Sequence, residues 1–408
     1  MNPVLRPAID IPITPYYLIF PFLAFWLLLA SPRFRLHAAA ALLVCVYGVG
    51  VGIAAGTPLG AQALQIVKYF QLFVLFGTLA WLRSRDPAFF GRCTALVVGM
   101  AGVAFALAAL QSMTGFEFPT VATEESGLWL NTFFYTPNDL ALFLGAVLIL
   151  VLTSTRGVLF KLLFASAVIG LSVRNDAKAV LIAITLILGV LAGLQFARRT
   201  RLSPLVVLAG GLLLLGIALS FYAEAELDFN GQEITALALL IDPVQRLVEL
   251  DPYELSGSVF DRTDALIYAF RELQSNHWLG LGPGGSVHVL TLPNYELSSA
   301  KSLHNAVAEL AVDLGPVFVI PALLTVLGVL RRLKHAEGLD SRDAARAAML
   351  LSLPFLAVSQ SSGYISNYGF WIAAYLLWNQ PRAFGAFRRA GARRRPAHQA
   401  TGALALRR

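Results

Sequence analysis

The sequence predicts an all-α membrane protein that crosses the bilayer about eleven times (roughly 10 to 12), with one large extracytoplasmic loop. Three observations carry that prediction. The 408-residue chain is 57% hydrophobic and only 13% charged, with a mean hydropathy of +0.69, far above the balance of a soluble domain. Several apolar runs approach or exceed the roughly 20 residues that cover a hydrocarbon core of about 30 Å. Lys and Arg fall in alternate connections between these runs, the pattern of the positive-inside rule.

In chain order the runs centre near Leu23, Val46, Phe73, Val103, Leu144, Phe164, Ile184, Leu213, Ile320, Leu353 and Ala374. They divide the chain into about eight spans over residues 1–222, an extracytoplasmic segment over 223–302, about three spans over 303–380, and a basic cytoplasmic tail over 381–408. The first run reads as a retained span, since no positive residues cluster before it and no A-x-A site follows. Arg33 and Arg35, Arg83 to Arg92, Arg156 and Lys161, Arg198 to Arg201, Arg331 to Arg346 and the Arg-rich tail mark the cytoplasmic side. That places the C-terminus inside and the N-terminus outside. The net charge of +7 is thus a topology signal that gives no argument for nucleic acid, and the tail reads as a lipid-attracted end. Cys45 and Cys93 show no metal-ligand spacing and set neither compartment nor disulfide.

The opposite connections differ in chemistry. Residues 113–136 hold Glu117, Glu124 and Glu125 beside Trp129, Phe133, Phe134 and Tyr135, and residues 223–302 form an insertion rich in Asp and Glu. Loops this long usually carry function. The insertion is too polar in its first third for a core of its own, but Thr263 to Leu273 has the spacing of an amphipathic helix at the membrane surface. Its carboxylates over 224–264 are irregularly spaced and read as a solvated acidic face, with no D-x-D or other metal site.

Four cations break the inside bias. Arg174 and Lys178 sit at an outer connection of almost no length, where they either pair with Asp176 or bind an anion. Arg262 lies in the insertion. Lys68 stands within the third run, where it either snorkels to the outer interface or faces a cavity or partner.

Two stretches carry the remaining polar signal. In Ser302-Leu303-His304-Asn305, Ser302 is placed to cap a helix that continues as a span; His304 titrates near neutrality and suits a general base or an interfacial cap; Asn305 reads as a capping or packing amide. Helix spacing sets Asn305, Glu309, Val312 and Pro316 on neighbouring turns. Upstream, Asn276-His277-Trp278-Leu279-Gly280-Leu281-Gly282-Pro283-Gly284-Gly285-Ser286 is a turn dense in glycine that permits close backbone approach. It lacks the Lys-Ser/Thr ending of a Walker loop.

In order, Arg262, the Gly280-Leu281-Gly282-Pro283-Gly284 turn and His304-Asn305 opening a helix with Gly315 further on resemble the O-antigen ligase and Wzy-type polymerase family. Thr136-Pro137-Asn138-Asp139-Leu140-Ala141 matches a second element of that family, and Ser172 to Lys178 matches a third loosely. His277-Trp278 stands where a Pro is common in the turn, and Ala306 to Leu310 departs from the usual residues after the His-Asn pair.

The resemblance implies a C-type membrane glycosyltransferase acting at the outer face of a bacterial cytoplasmic membrane. Its donor would be a glycan on a polyprenyl diphosphate. The acceptor would be another lipid-linked glycan, as in an O-antigen or exopolysaccharide polymerase, or the lipopolysaccharide core, as in a ligase; other polysaccharide assembly proteins are natural partners. On this reading Arg174, Arg262, Lys68 and Lys178 hold the diphosphate and stabilise its departure, and His304 takes the proton of the acceptor hydroxyl or orients it. Asn138, Asn305, Gly282 and Gly284 shape the site, and no metal or cofactor is required. Two other classes fit a polytopic chain. A transporter would use Lys68 as a permeant site, though no repeated halves or paired broken spans are visible, and a non-catalytic scaffold would tolerate loss of His304 and Arg262.

Overall fold

The computed structural model describes residues 15–115, 132, 137–175, 178–200, 202–211, 226–229, 232–235, 242, 245–246, 248–250, 258–292, 303, 305–334, 339–357 and 367–381. The chain forms α1 (Pro15–Ala30), α2 (Pro32–Ala54), α3 (Leu59–Arg85), α4 (Phe89–Thr114), α5 (Pro137–Thr153), α6 (Val158–Arg174) and α7 (Lys178–Thr200). After a further helical stretch at 204–211 come β1 (Glu226–Phe229), β2 (Gln232–Thr235), α8 (Ser258–Ser275), the one-turn α9 (Gly285–His288), α10 (Ala306–Leu314), α11 (Pro316–Leu333), α12 (Ser341–Ala357) and α13 (Tyr368–Trp378).

The order of packing follows from which helices are apolar on every side. The α5 sequence LALFLGAVLILV has no polar face, and every residue from Leu140 to Val151 is buried, so α5 is the central helix. Around it stand α4, α6, α7, α12 and α13. Small residues let the closest neighbours approach: Ala344, Ala345, Ala347 and Ala348 of α12 are buried, where α12 meets α7 along much of its length. A second layer of α1, α2 and α3 closes over Ala24, Leu27, Phe34 and Val74.

Among the described residues five helices are long and apolar enough to cross a membrane: α2, α3, α4, Val180–Thr200 of α7, and α11, with shorter apolar helices at Leu18–Ala30, Asp139–Thr153 and Tyr368–Trp378. Their exposed Leu18, Phe22, Phe25, Leu42, Leu43 and Leu324 suit lipid as the surrounding solvent. Each expected centre falls within a helix except Leu213, which lies outside the described residues.

Basic connections gather at one end of the bundle. Arg83 donates to Asn379 Oδ1 at 2.7 Å, Arg346 donates to Trp378 O at 2.7 Å and lies over its ring, and Gln380 reaches Thr153 at the end of α5. Lys161 donates to Leu152 O and Ser154 O, satisfying carbonyls that a helix C-terminus leaves open. At the other end the starts of α5 and α13 meet through Asn367, whose amide donates to Asp139 O at 2.8 Å.

Three expectations change. An antiparallel hairpin, β1 paired with β2, stands among the helices of the described residues. The helix expected to run on from Ser302 breaks at Gly315 (φ 52°) and restarts with Pro316 at its first position, so the long apolar span begins at Pro316. The insertion's end is not wholly solvated either: Ala265, Ala269, Leu273, Leu281, Val289, Leu290, Leu303 and Val312 form a separate outer core, and Asp264 is buried beside it.

Candidate functional site

The site sits at the end of the bundle opposite the basic connections, where the glycine turn is wedged between α2, α3 and α10. The turn begins as α8 ends, with His277 (φ 56°) and Trp278 (φ 61°) both left-handed. For non-glycine residues this is a strained conformation, and structures retain it only where the surroundings over-determine it. The surroundings here are specific. Tyr47 Oη donates to Leu279 O at 2.6 Å, and Thr57 Oγ1 donates to Leu281 O at 2.6 Å. Leu281 N–H donates to Val312 O and Gly282 N–H to Asp313 O, at 2.9 and 3.0 Å. A Cβ on Gly282 (φ 80°) would stand 2.3 Å from Gly52 Cα. Only glycine on both sides permits that crossing. Gly284 (φ 78°) lies against Ala61 O, 3.1 Å from where its Cβ would be.

On the facing side, Asn305 caps α10: its Oδ1 accepts from Val307 N–H and Ala308 N–H, both at 3.1 Å. The cap expected of Ser302 is therefore made by Asn305, whose extended backbone (φ −144°, ψ 103°) is that of an N-cap. Glu309 and Asp313 follow four residues apart on one face of α10, and both are buried. Asp313 Oδ1 accepts from Ser286 N–H at 2.8 Å, while Oδ2 accepts from Gly284 N–H at 2.9 Å and from Tyr69 Oη at 2.8 Å. One carboxylate thus fastens the turn, α10 and α3 together. The amides of Gly282 and Gly284 are engaged inside the protein.

Glu309 is held differently. The Leu303 N–H hydrogen-bonds its carboxyl, but Oε1 has no partner among the described residues. At nine residues, about 14 Å at 1.5 Å per residue, α10 is too short to cross a membrane, and it precedes the candidate span Pro316–Leu333. Burial, reinforced by Asp313 and opposed by Lys68 and the Leu303 N–H, pushes Glu309 up to about 8. Lys68 is half-buried and stands in the field of both carboxylates. It lies nine residues into α3, about 14 Å from that helix's first residue.

Arg262 is half-buried on α8, where burial lowers its pKa against the pull of Asp261. Two residues on, buried Asp264 pairs with buried Arg246, a cation that the sequence reading passed over as part of an acidic insertion. This pair ties the 245–250 segment to α8 beside Arg262.

The structure therefore brings Lys68, Asn305, Gly282 and Gly284 together and packs α8, which carries Arg262, against α10. Arg174 is exposed as the last residue of α6, and Lys178 opens α7 across the short corner. Both belong to the same end of the bundle. Asn138 lies in the first turn of α5 there; the side chains of Asn138 and Lys178, and His304 entirely, lie outside the described residues. Glu309 and Asp313 are what sequence reasoning left without a role, although their four-residue spacing in an apolar segment was the signal. Among the described residues no three His, Cys, Asp or Glu side chains gather as metal ligands. Comparison with family models, curated proteins and solved structures finds no match.

Proposed function

We propose that the chain is a membrane glycosyltransferase that transfers or polymerises a glycan carried on a polyprenyl diphosphate, acting at the outer face of a bacterial cytoplasmic membrane with about eleven spans. The observation that supports this reading most is the Asp313 carboxylate, which accepts from the Gly284 and Ser286 amides. It joins the glycine turn to the helix opened by Asn305, and those are the two stretches on which the family resemblance rests.

In this mechanism Arg262, with Arg174 and Lys178 from the corner between α6 and α7, holds the diphosphate. Charge grows on the oxygen leaving the anomeric carbon, and fixed cations stabilise it without reorganisation. His304 takes the proton from the acceptor hydroxyl as that oxygen bonds the anomeric carbon and the polyprenyl diphosphate departs. Asn305 fixes the start of α10 next to it in sequence. Transfer by this route continues in a chelator.

The test is a gel of the glycans in cells lacking the protein, complemented with wild type or with His304→Ala. A single lipid-linked repeat that is extended only by wild type identifies a polymerase; full-length polymer accumulating on its carrier identifies a ligase. Normal glycans in every strain overturn the proposal.

A further inference from the structure

We propose that the seam between α3 and α10 is a binding site for a sugar ring: Gln65, Lys68 and Glu309 bind the hydroxyls of the glycan unit next to the diphosphate. The inference rests on the glycosyltransferase reading and specifies which part of the donor goes where.

The seam is polar where the surrounding protein is not. Gln62, Gln65, Lys68 and Tyr69 recur at helical spacing along the outer half of α3, so they share one face. Two of the four are bonded: Gln62 Nε2 donates to Thr57 O, though its Oε1 has no partner among the described residues, and Tyr69 donates to Asp313. The other two are left over: Gln65 is 7% exposed and has no hydrogen-bond partner among the described residues, and Lys68 makes no direct ion pair there. In the field of Lys68, Glu309 is 1% exposed with Oε1 unpartnered among the described residues.

Buried polar groups without partners are costly, and an apolar residue at either position would be the more stable choice. A ligand that completes them explains their presence. Its chemistry follows from the set. Gln65 offers an amide that both donates and accepts, Lys68 offers N–H donors only, and the Glu309 carboxyl, protonated near neutrality, offers a donor and an acceptor. Each hydroxyl of a sugar both donates and accepts, so neighbouring hydroxyls match such a mixed set. A diphosphate accepts only and gains less from it, with two acidic groups, Glu309 and Asp313, beside the same lysine. An isoprenoid chain would leave every polar group unpaired. Lys68, half-exposed on a flexible stem, is the side of the seam that moves to admit the ring. The diphosphate then lies toward α8 and Arg262, since α8 packs against α10.

The experiment measures binding to the full-length protein in lipid nanodiscs. The probes are bare polyprenyl diphosphate and the same lipid carrying N-acetylglucosamine, glucose or galactose as its single sugar. Wild type is expected to bind at least one sugar-bearing probe about tenfold more tightly than the bare lipid, the gain of about two net hydrogen bonds. Gln65→Leu and the near-isosteric Glu309→Gln are expected to remove most of that advantage while leaving the affinity for bare polyprenyl diphosphate within about twofold. Arg262→Ala is expected to weaken all probes alike. A sugar advantage that survives both seam variants, or its absence in wild type, overturns the inference and leaves the enzyme reading standing. A loss shared equally by the bare lipid also overturns it. Failure of wild type to bind any of these lipids defeats the enzyme reading, and the inference with it.

Discussion

Asp313→Asn isolates the fastening of the glycine turn with almost no change of shape. Asp313 is completely buried and accepts from two backbone amides and a tyrosine hydroxyl, each at 2.8 to 2.9 Å. Asparagine keeps one acceptor oxygen and replaces the other with an NH2 group. If the oxygen stays with Ser286 N–H, the NH2 faces Gly284 N–H and Tyr69 Oη. The tyrosine hydroxyl can rotate to accept; the amide cannot. One buried N–H is then stranded, at about 1 to 3 kcal/mol, and the remaining bonds lose their charge assistance, at roughly another 1 kcal/mol. The expected destabilisation is therefore about 2 to 4 kcal/mol. Asp313→Ala strands all three donors and should cost more, and Tyr69→Phe removes one bond and should cost only about 1 to 2 kcal/mol. Cys45 and Cys93 are both free, so a thiol-reactive fluorophore reports thermal unfolding without added labels. The expected order of midpoints is wild type, Tyr69→Phe, Asp313→Asn, Asp313→Ala, from highest to lowest. An Asp313→Asn protein as stable as wild type, or a larger loss in Tyr69→Phe, would refute the assignment of Asp313 as the common acceptor.

Gly282→Ala should prevent accumulation of folded protein, because its Cβ would stand 2.3 Å from Gly52 Cα, whereas Gly50→Ala, with nothing within 4 Å, should be silent; protein yield after membrane extraction checks both. Arg246→Met removes the cation paired with buried Asp264 and is expected to lower stability by about 3 to 5 kcal/mol; restoration by the double variant Arg246→Met/Asp264→Leu is the control. Glu309 makes stability depend on pH. Its folded-state value of about 8 lies above the ordinary 4.5, so the folded protein keeps a proton that the unfolded chain releases. Stability should fall as pH rises from about 5 to about 8, by at most about 1.4 kcal/mol per unit, and level off above that. Lys68 from α3 and Asp313 from α10 are the charges facing it, and a Glu309→Gln protein whose melting temperature keeps the same pH slope would show that the titrating group lies elsewhere.

The helices were legible because lipid exposure and burial both demand apolar side chains, and a run such as Leu140 to Val151 shows its length whichever surroundings it meets. What such a run does not show is which neighbour covers it. The central position of α5 comes from α12's alanines and Gly145 packing on Leu356, a match between distant segments. The break at Gly315 had a local signal in Gly315-Pro316, a pair that marks turns, but it was outweighed by the apolar run that follows from Val317. The hairpin had a local signal, Asn230-Gly231 between two short strand-like runs, a pair favoured in two-residue turns. Within the site, Gly282, Gly284 and Asn305 were singled out for composition and cap chemistry, both local. Asp313 and Glu309 acquire meaning only when Tyr69 and Lys68 arrive from 244 and 241 residues away (313 − 69 and 309 − 68). Arg246 was hidden by the acidity of the residues around it, since net composition says nothing about which single charge is buried.

The wedging of the glycine turn between α2, α3 and α10 bears on how the protein is made. Tyr47 and Tyr69, on α2 and α3, and Thr57, in the connection between them, are synthesised early, yet their partners Leu279, Leu281 and Asp313 emerge only in the last third of the chain. Until then the notch formed by Gly48 and Gly52 stands open in a half-built bundle, and the hydroxyls around it lack these three acceptors. Such a nascent intermediate exposes polar groups and backbone to whatever is nearby. A chain terminated before Leu314 would be released in that state, and membrane quality control would meet it as an open, sticky helix pair, while the completed chain closes the notch in the last assembly step.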